Sequence, residues 1–155
     1  DVGILQRELS TVKGEGFGLL GSKDCQFSNL FDFVYYLIQN VLLDAEKRDV
    51  LIGVPKEEIL GKLQGDKENF NSVKRSSLVH WDMWEGNIFV KDDRIVGIID
   101  WERAMWGEPF MDDRFRHHNR NADFLKGFGK EELSESEMRR IHWYDILLYD
   151  CLEVF

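Results

Sequence analysis

Apolar residues recur at spacings of three and four from Phe27 to about Ala45, through Phe31, Val34, Ile38, Val41 and Leu42. That period predicts an amphipathic helix with Ser28 near its start as a cap, and its aromatic positions suit a core face better than a ligand box. A second, compact helix is predicted over "VPKEEILGKL", with Pro55 at its start, acids in its first turn and Gly65 just past its end. The period then shortens. "SSLVH" reads as a short strand, and "NIFVKDDRIVGIID" as two apolar strands joined at Asp92 and Asp93, a tight polar turn. After Pro109 the helical period returns around "MDDRFRHHNRNADFLKGF". A last helix opens at "SESE", where Ser134 and Glu137 have capping-box spacing, and runs through "MRRIHWYDILLYDCLEVF". No internal repeat or low-complexity linker interrupts the pattern. The expected architecture is a single α+β domain over residues 1–155, mostly helical, with a small central β-hairpin.

Composition narrows the partners. With 155 residues and 43% hydrophobic content, the chain can bury a real core. A formal charge of -9 repels nucleic acid, and the basic stretches, such as "RFRHHNR", are short. The acidic balance would suit a cationic substrate, although solubility alone explains it. Cys25 and Cys151 lie far apart without metal-ligand spacing, so neither a disulfide framework nor a structural zinc is indicated, and a reducing cytoplasm fits best. No uncharged apolar run approaches the roughly 18 residues of a membrane span, and the first residues lack the build of a signal peptide. Because the chain begins with Asp rather than Met, residue 1 is not expected to be the start of the gene product.

Candidate chemistry gathers on the hairpin. Asp82 and Asn87 precede its first strand and Asp100 ends its second, and antiparallel pairing returns Asp100 to the end that Asn87 occupies. Asn and Asp oxygens are hard ligands suited to Mg²⁺. Asp82 is then free to accept a proton from an attacking hydroxyl. The spacing His-x-Asp-x4-Asn, carried by His80, Asp82 and Asn87, would arise by chance in about 2% of chains this long at roughly 5% usage per residue. The flanking strands, "IIDWE" and "GEPFMDD" make the coincidence much rarer.

"HWDMWEGN" followed by "GIIDWERAMWGEPFMDD" resembles the aminoglycoside phosphotransferase and choline kinase-like family, whose pattern is His-x-Asp-x4-Asn, then Ile-Asp, then Gly-x4-Asp. The upstream stretch from Gly16 to Glu46 is similar to the helical region that precedes this loop in the family. The resemblance implies the catalytic lobe of a protein-kinase-like fold, with ATP or GTP as phosphoryl donor and a small-molecule hydroxyl as acceptor. It implies Asp82 as catalytic base, Asn87 and Asp100 as magnesium ligands, His80 as a structural brace, and Asp112 as a loop anchor on the following helix.

Two departures stand out. Many members carry a small residue after the His and a His-Pro inside the loop, where this chain has Trp81, Trp84 and Glu85. None of these is a ligand or the base, so the chemistry is unaffected, while substrate and nucleotide contacts are left open. Kinase-like enzymes also grip the nucleotide with a small lobe that supplies a strand Lys, a helix Glu and a covering loop. "KGEGFGLLG" echoes such a loop, but a helical pattern follows it, and an ordinary Gly-rich connection is the better reading. The chain is therefore expected to be a catalytic lobe that needs a separate N-terminal lobe for activity. Alternatives are a non-catalytic kinase-like binding module and a metal-dependent hydrolase using His80, Asp82, Asp100 and Asp112. Other residues have ordinary roles open to them: His117 and His118 as a solvated pair, Glu102 as an exposed acid or part of an acidic pocket, and Asp112 and Asp113 as helix first-turn acids.

Overall fold

The computed structural model describes residues 2–115 and 120–154. The long predicted helix forms as α2, Leu30–Lys47, and buries Leu30, Phe31, Phe33, Val34, Ile38, Leu42 and Ala45. Each large side chain among these contributes about 1.5–3 kcal/mol when fully removed from water. Its cap is Asn29 rather than Ser28: the Asn29 side chain accepts the Asp32 N–H at 2.9 Å. The start moves because Phe27 is drawn into a strand opposite Phe17, which keeps the chain extended up to the cap. The compact helix α3, Lys56–Gly65, has Pro55 as its cap residue and takes in Gly65 as its last residue.

Two further helices complete the helical part. α1, Val2–Leu9, which the apolar pattern did not announce, lies against α4, Ala122–Phe128. α5, Glu135–Val154, opens with the expected capping box: Glu137 accepts the Ser134 N–H at 2.8 Å, and the Ser134 hydroxyl accepts the Glu137 N–H at 3.3 Å. Ile141, Tyr144 and Leu147 of α5 join the residues buried by α2 in one core. None of the described helices is long and apolar enough to cross a membrane.

The β structure is more extensive than the hairpin alone. β1 (Phe17–Leu19), β2 (Gln26–Phe27), β3 (Ser77–Val79) and β6 (Met105–Gly107) form an antiparallel sheet in the order β2-β1-β6-β3. The glycine-rich segment is thus not a bare connection running into a helix. It contributes β1, with β2 preceding α2. A Cβ on Gly18 would lie 1.9 Å from the Cys25 carbonyl oxygen, and one on Gly14 within 2.8 Å of the Trp106 ring, so close packing accounts for these two glycines. β4 (Ile88–Lys91) and β5 (Arg94–Ile98) form the predicted hairpin, in register Ile88↔Ile98 with a bulge at Phe89/Val90. Its turn is Asp92 and Asp93, both at positive φ (51° and 58°), as a two-residue hairpin connection of matching twist requires.

The continuous helix expected around 111–128 does not form. The chain makes two 3₁₀ turns, Pro109–Met111 and Asp113–Phe115, with Asp112 extended between them, and α4 starts only after its cap Asn121. The Asp112 side chain offers the cause: it accepts the Arg114 N–H, a local bond that competes with helical pairing. Residues 116–119, and with them the His117–His118 pair, lie outside the described residues.

Candidate active site

Strand β3 ends at Val79, paired with Met105 of β6, and delivers the chain into the loop 80–87 from the floor of the sheet. His80 is fully buried. Its Nδ1 accepts the Asp82 N–H at 3.3 Å, so Nε2 carries the proton and donates to the Ile99 carbonyl at 2.9 Å. The Trp101 ring stands edge-on to the imidazole with centroids 4.6 Å apart, and its indole N–H donates to the Ile98 carbonyl. His80 therefore braces the loop against the exit of the hairpin. With both ring nitrogens engaged, His80 presents no free nitrogen in this arrangement.

Trp81 follows with φ at 71°, a left-handed conformation that L side chains adopt at a cost. The next helix does not hold it; Asp112, from between the two 3₁₀ turns, does. Its Oδ2 accepts the Trp81 N–H at 2.9 Å. Asp112 is fully buried, and burial pushes its carboxyl up to about 6 against the pull of the N–H groups of Trp81 and Arg114. First-turn acids of a helix are solvated, so that role does not describe Asp112.

Asp82 and Asn87 are brought together. The Asn87 amide Nδ2 donates to the Asp82 carbonyl at 2.9 Å and to its carboxylate Oδ2 at 3.3 Å. With Nδ2 turned toward Asp82, the amide Oδ1 remains as an acceptor. The Ile99 N–H donates to the Asn87 carbonyl at 3.1 Å, which ties the hairpin exit to the loop and sets Asp100 beside it. Asp100 sits at φ 65°, is exposed, and makes no hydrogen bond or ion pair among the described residues. An amide oxygen and an unpaired carboxylate at one hairpin end fit Mg²⁺, which takes one or two protein oxygens and fills its shell with water and phosphate. Among the described residues no cluster of three or more His, Cys, Asp or Glu forms a closed metal cage.

Within the loop, Trp84 lays its ring across Gly86, where a Cβ would meet ring carbons at 2.4 Å. Glu85 lies on the surface, held below the usual carboxylate range by its own N–H and by the Arg114 guanidinium. Glu102 is exposed in the turn Trp101–Arg103. The spacing argument missed Arg114, whose Nε donates to the Met83 carbonyl at 2.8 Å. Its only trace in the sequence is its place at the head of the basic stretch "RFRHHNR", two residues after Asp112.

A half-exposed carboxylate fixed by its neighbours, next to two free oxygen ligands, can accept a proton from a hydroxyl while phosphate charge is neutralised alongside it. The model of the phosphotransferase enzyme family matches residues 28–113, a span that contains His80, Asp82, Asn87, Asp100 and Asp112. No curated protein and no solved structure matches the chain significantly. The family match covers more than half of the chain and includes every residue of the loop and of the hairpin that faces it; this chain belongs to the phosphotransferase enzyme family.

Proposed function

We propose that the chain carries the catalytic machinery of a kinase-like phosphotransferase, which moves the γ-phosphoryl group of ATP or GTP to a hydroxyl of a small molecule. The observation that carries this reading is the set of bonds around Asp82, with the Trp81 N–H held by Asp112 and the Asp82 carbonyl held by Asn87. Asp82 is the base. Its carboxylate takes the acceptor's hydroxyl proton as that oxygen forms a bond to the γ-phosphorus, the bridging bond to the donor breaks, and the nucleoside diphosphate leaves. Such a base contributes about 10²–10⁴-fold in rate. Asn87 Oδ1 and Asp100 would hold Mg²⁺, which when bound offsets phosphate charge.

The nucleotide grip belongs, on this reading, to a small lobe of the complete protein. Among the described residues, Lys13 beside β3 donates to the Ser10 carbonyl and the Ser77 hydroxyl, Lys91 ends β4 on the surface, and neither forms an ion pair with a helix glutamate. The net charge of -9 favours a cationic acceptor. The test is Asp82→Ala in the full-length protein. Transfer to a panel of small alcohols should fall at least about 100-fold, with unchanged unfolding and unchanged Mg²⁺-dependent nucleotide binding by calorimetry. Turnover equal to the parent's overturns the assignment. A parent that binds no nucleotide with Mg²⁺ is instead a kinase-like binding module.

A further inference from the structure

We infer that Arg114 is a positioning residue for the catalytic base, clamping the loop 82–87 at the Met83 carbonyl. The inference rests on the phosphotransferase reading and adds to it a residue just beyond the span that the family model matches.

Arg114 leaves the chain one residue after Asp113, at the turn Asp113–Phe115, and reaches back across the loop. Its Nε donates to the Met83 carbonyl at 2.8 Å. Its Nη2 lies 3.0 Å from Glu85 Oε1. Its own N–H donates to Asp112 Oδ1, while Asp112 Oδ2 takes the Trp81 N–H. The segment Asp112–Arg114 thus grips the loop at two places that flank Asp82, the peptide group of Trp81 before it and the carbonyl of Met83 after it. Asn87 holds the Asp82 carbonyl between them. Three successive residues have a backbone polar group committed, so the direction of the Asp82 carboxylate is set by bonds rather than by its own rotamer alone. A base displaced by a fraction of an ångström loses alignment with the attacking hydroxyl, which is how a residue that never touches substrate governs turnover.

The two contacts of the guanidinium differ in weight. The Arg114 side chain is 15% exposed, whereas Glu85 is 81% exposed, so the ion pair is screened by water. The bond to the Met83 carbonyl is charge-assisted and partly buried, and Met83 itself is fully buried. The clamp therefore depends on the carbonyl contact, with Glu85 as an outer support. Arg114 also lines two openings, of about 470 Å³ beside the hairpin and about 190 Å³ beside α1, so a guanidinium ion can diffuse to its place when the side chain is removed.

The experiment compares Arg114→Ala, Arg114→Lys and Glu85→Gln in the full-length protein, with steady-state kinetics and hydrogen exchange over residues 81–87. Arg114→Ala should lower kcat about 10–100-fold, with KM for both substrates within about threefold. Added guanidinium chloride at millimolar concentration should restore at least about a fifth of the lost kcat. Arg114→Lys, able to make one bond to the Met83 carbonyl, should keep most of the turnover, and Glu85→Gln should stay within about twofold. Exchange at the loop amides should quicken in Arg114→Ala and not in Glu85→Gln. Unchanged kcat in Arg114→Ala, or a loss that appears in KM and not in kcat, overturns the clamp. If the parent shows no transfer at all, the phosphotransferase reading falls, and the clamp is then decided by exchange: equal loop protection in parent and Arg114→Ala overturns it.

Discussion

Asp112 places a titratable carboxyl in the interior of the protein. It is fully buried beneath the loop, and burial raises its carboxyl from 3.8 to about 6. Between those values the folded chain keeps a proton that the unfolded chain has released. The stability this group contributes is therefore full below about pH 4 and declines as pH rises toward 6, by about 3 kcal/mol for a shift of this size. Asp112→Asn removes the titration while keeping an acceptor for one N–H. The stability of the parent relative to Asp112→Asn should fall by up to about 3 kcal/mol from pH 4 to pH 7, as read from urea unfolding at each pH. A flat difference would show that the carboxyl titrates normally, and a parent that gains on the variant would show that the fold lowers its pKa instead. Keeping an anion there is costly, and it holds Trp81 at φ 71°. Asp100, also at positive φ, is the second departure from ordinary backbone in the site. Strain gathers where the loop meets the hairpin exit, as it does when surrounding bonds over-determine a functional geometry.

Elements were legible in the sequence to the degree that their causes are local. The β4–β5 hairpin reads directly, since both strands are short apolar runs and Asp92–Asp93 is a turn signal between them. α2 and α5 read from period and capping residues, with an error of a few residues where Phe27 is recruited by Phe17. β1, β2 and β6 did not read at all. Each is two or three residues long, and β6 draws its partners from Gly18–Leu19 and Ser77–Val79, too far along the chain for any window to register. The helix expected at 111–128 failed because the Asp112 side chain took over the backbone pairing that a helix needs. The hairpin turn offers a test at this scale. Asp tolerates positive φ better than most residues, but Gly tolerates it without penalty, so Asp93→Gly should stabilise the protein by about 0.5–1 kcal/mol after the entropy of Gly is subtracted. Asp93→Val, β-branched at the same φ, should destabilise by about 1–2 kcal/mol. Thermal unfolding that ranks Val above Gly would mean the turn relaxes out of this conformation.

Across the whole molecule, the site depends on contacts that join distant parts of the chain. His80, Asp82 and Asn87 could be found from spacing because one short loop holds all three, whereas Arg114 matters only because the chain returns to Met83 after thirty-one residues. That return is secured further out. Glu108, directly after β6, accepts from Arg140 Nε and Nη2 of α5 at 2.8 and 2.7 Å, and from the Tyr144 hydroxyl at 2.6 Å. Arg140 Nη1 continues to the Asn69 carbonyl at 2.6 Å. Arg140 and Glu108 are both buried, so this bidentate pair ties α5 to the segment that delivers Asp112 and to the turn after α3. Removing one partner strands the other's charge away from water. Arg140→Met should cost about 3–5 kcal/mol, chiefly through the exposed need of the Glu108 carboxylate. Adding Glu108→Gln to that variant replaces the stranded charge with a neutral amide of the same size, and should recover at least about 1 kcal/mol. Denaturant unfolding of the parent, Arg140→Met and the double variant separates the cases. If the double variant is less stable than Arg140→Met, the pair's worth lies in hydrogen bonds that Gln loses, and buried charge is not what holds the return segment in place.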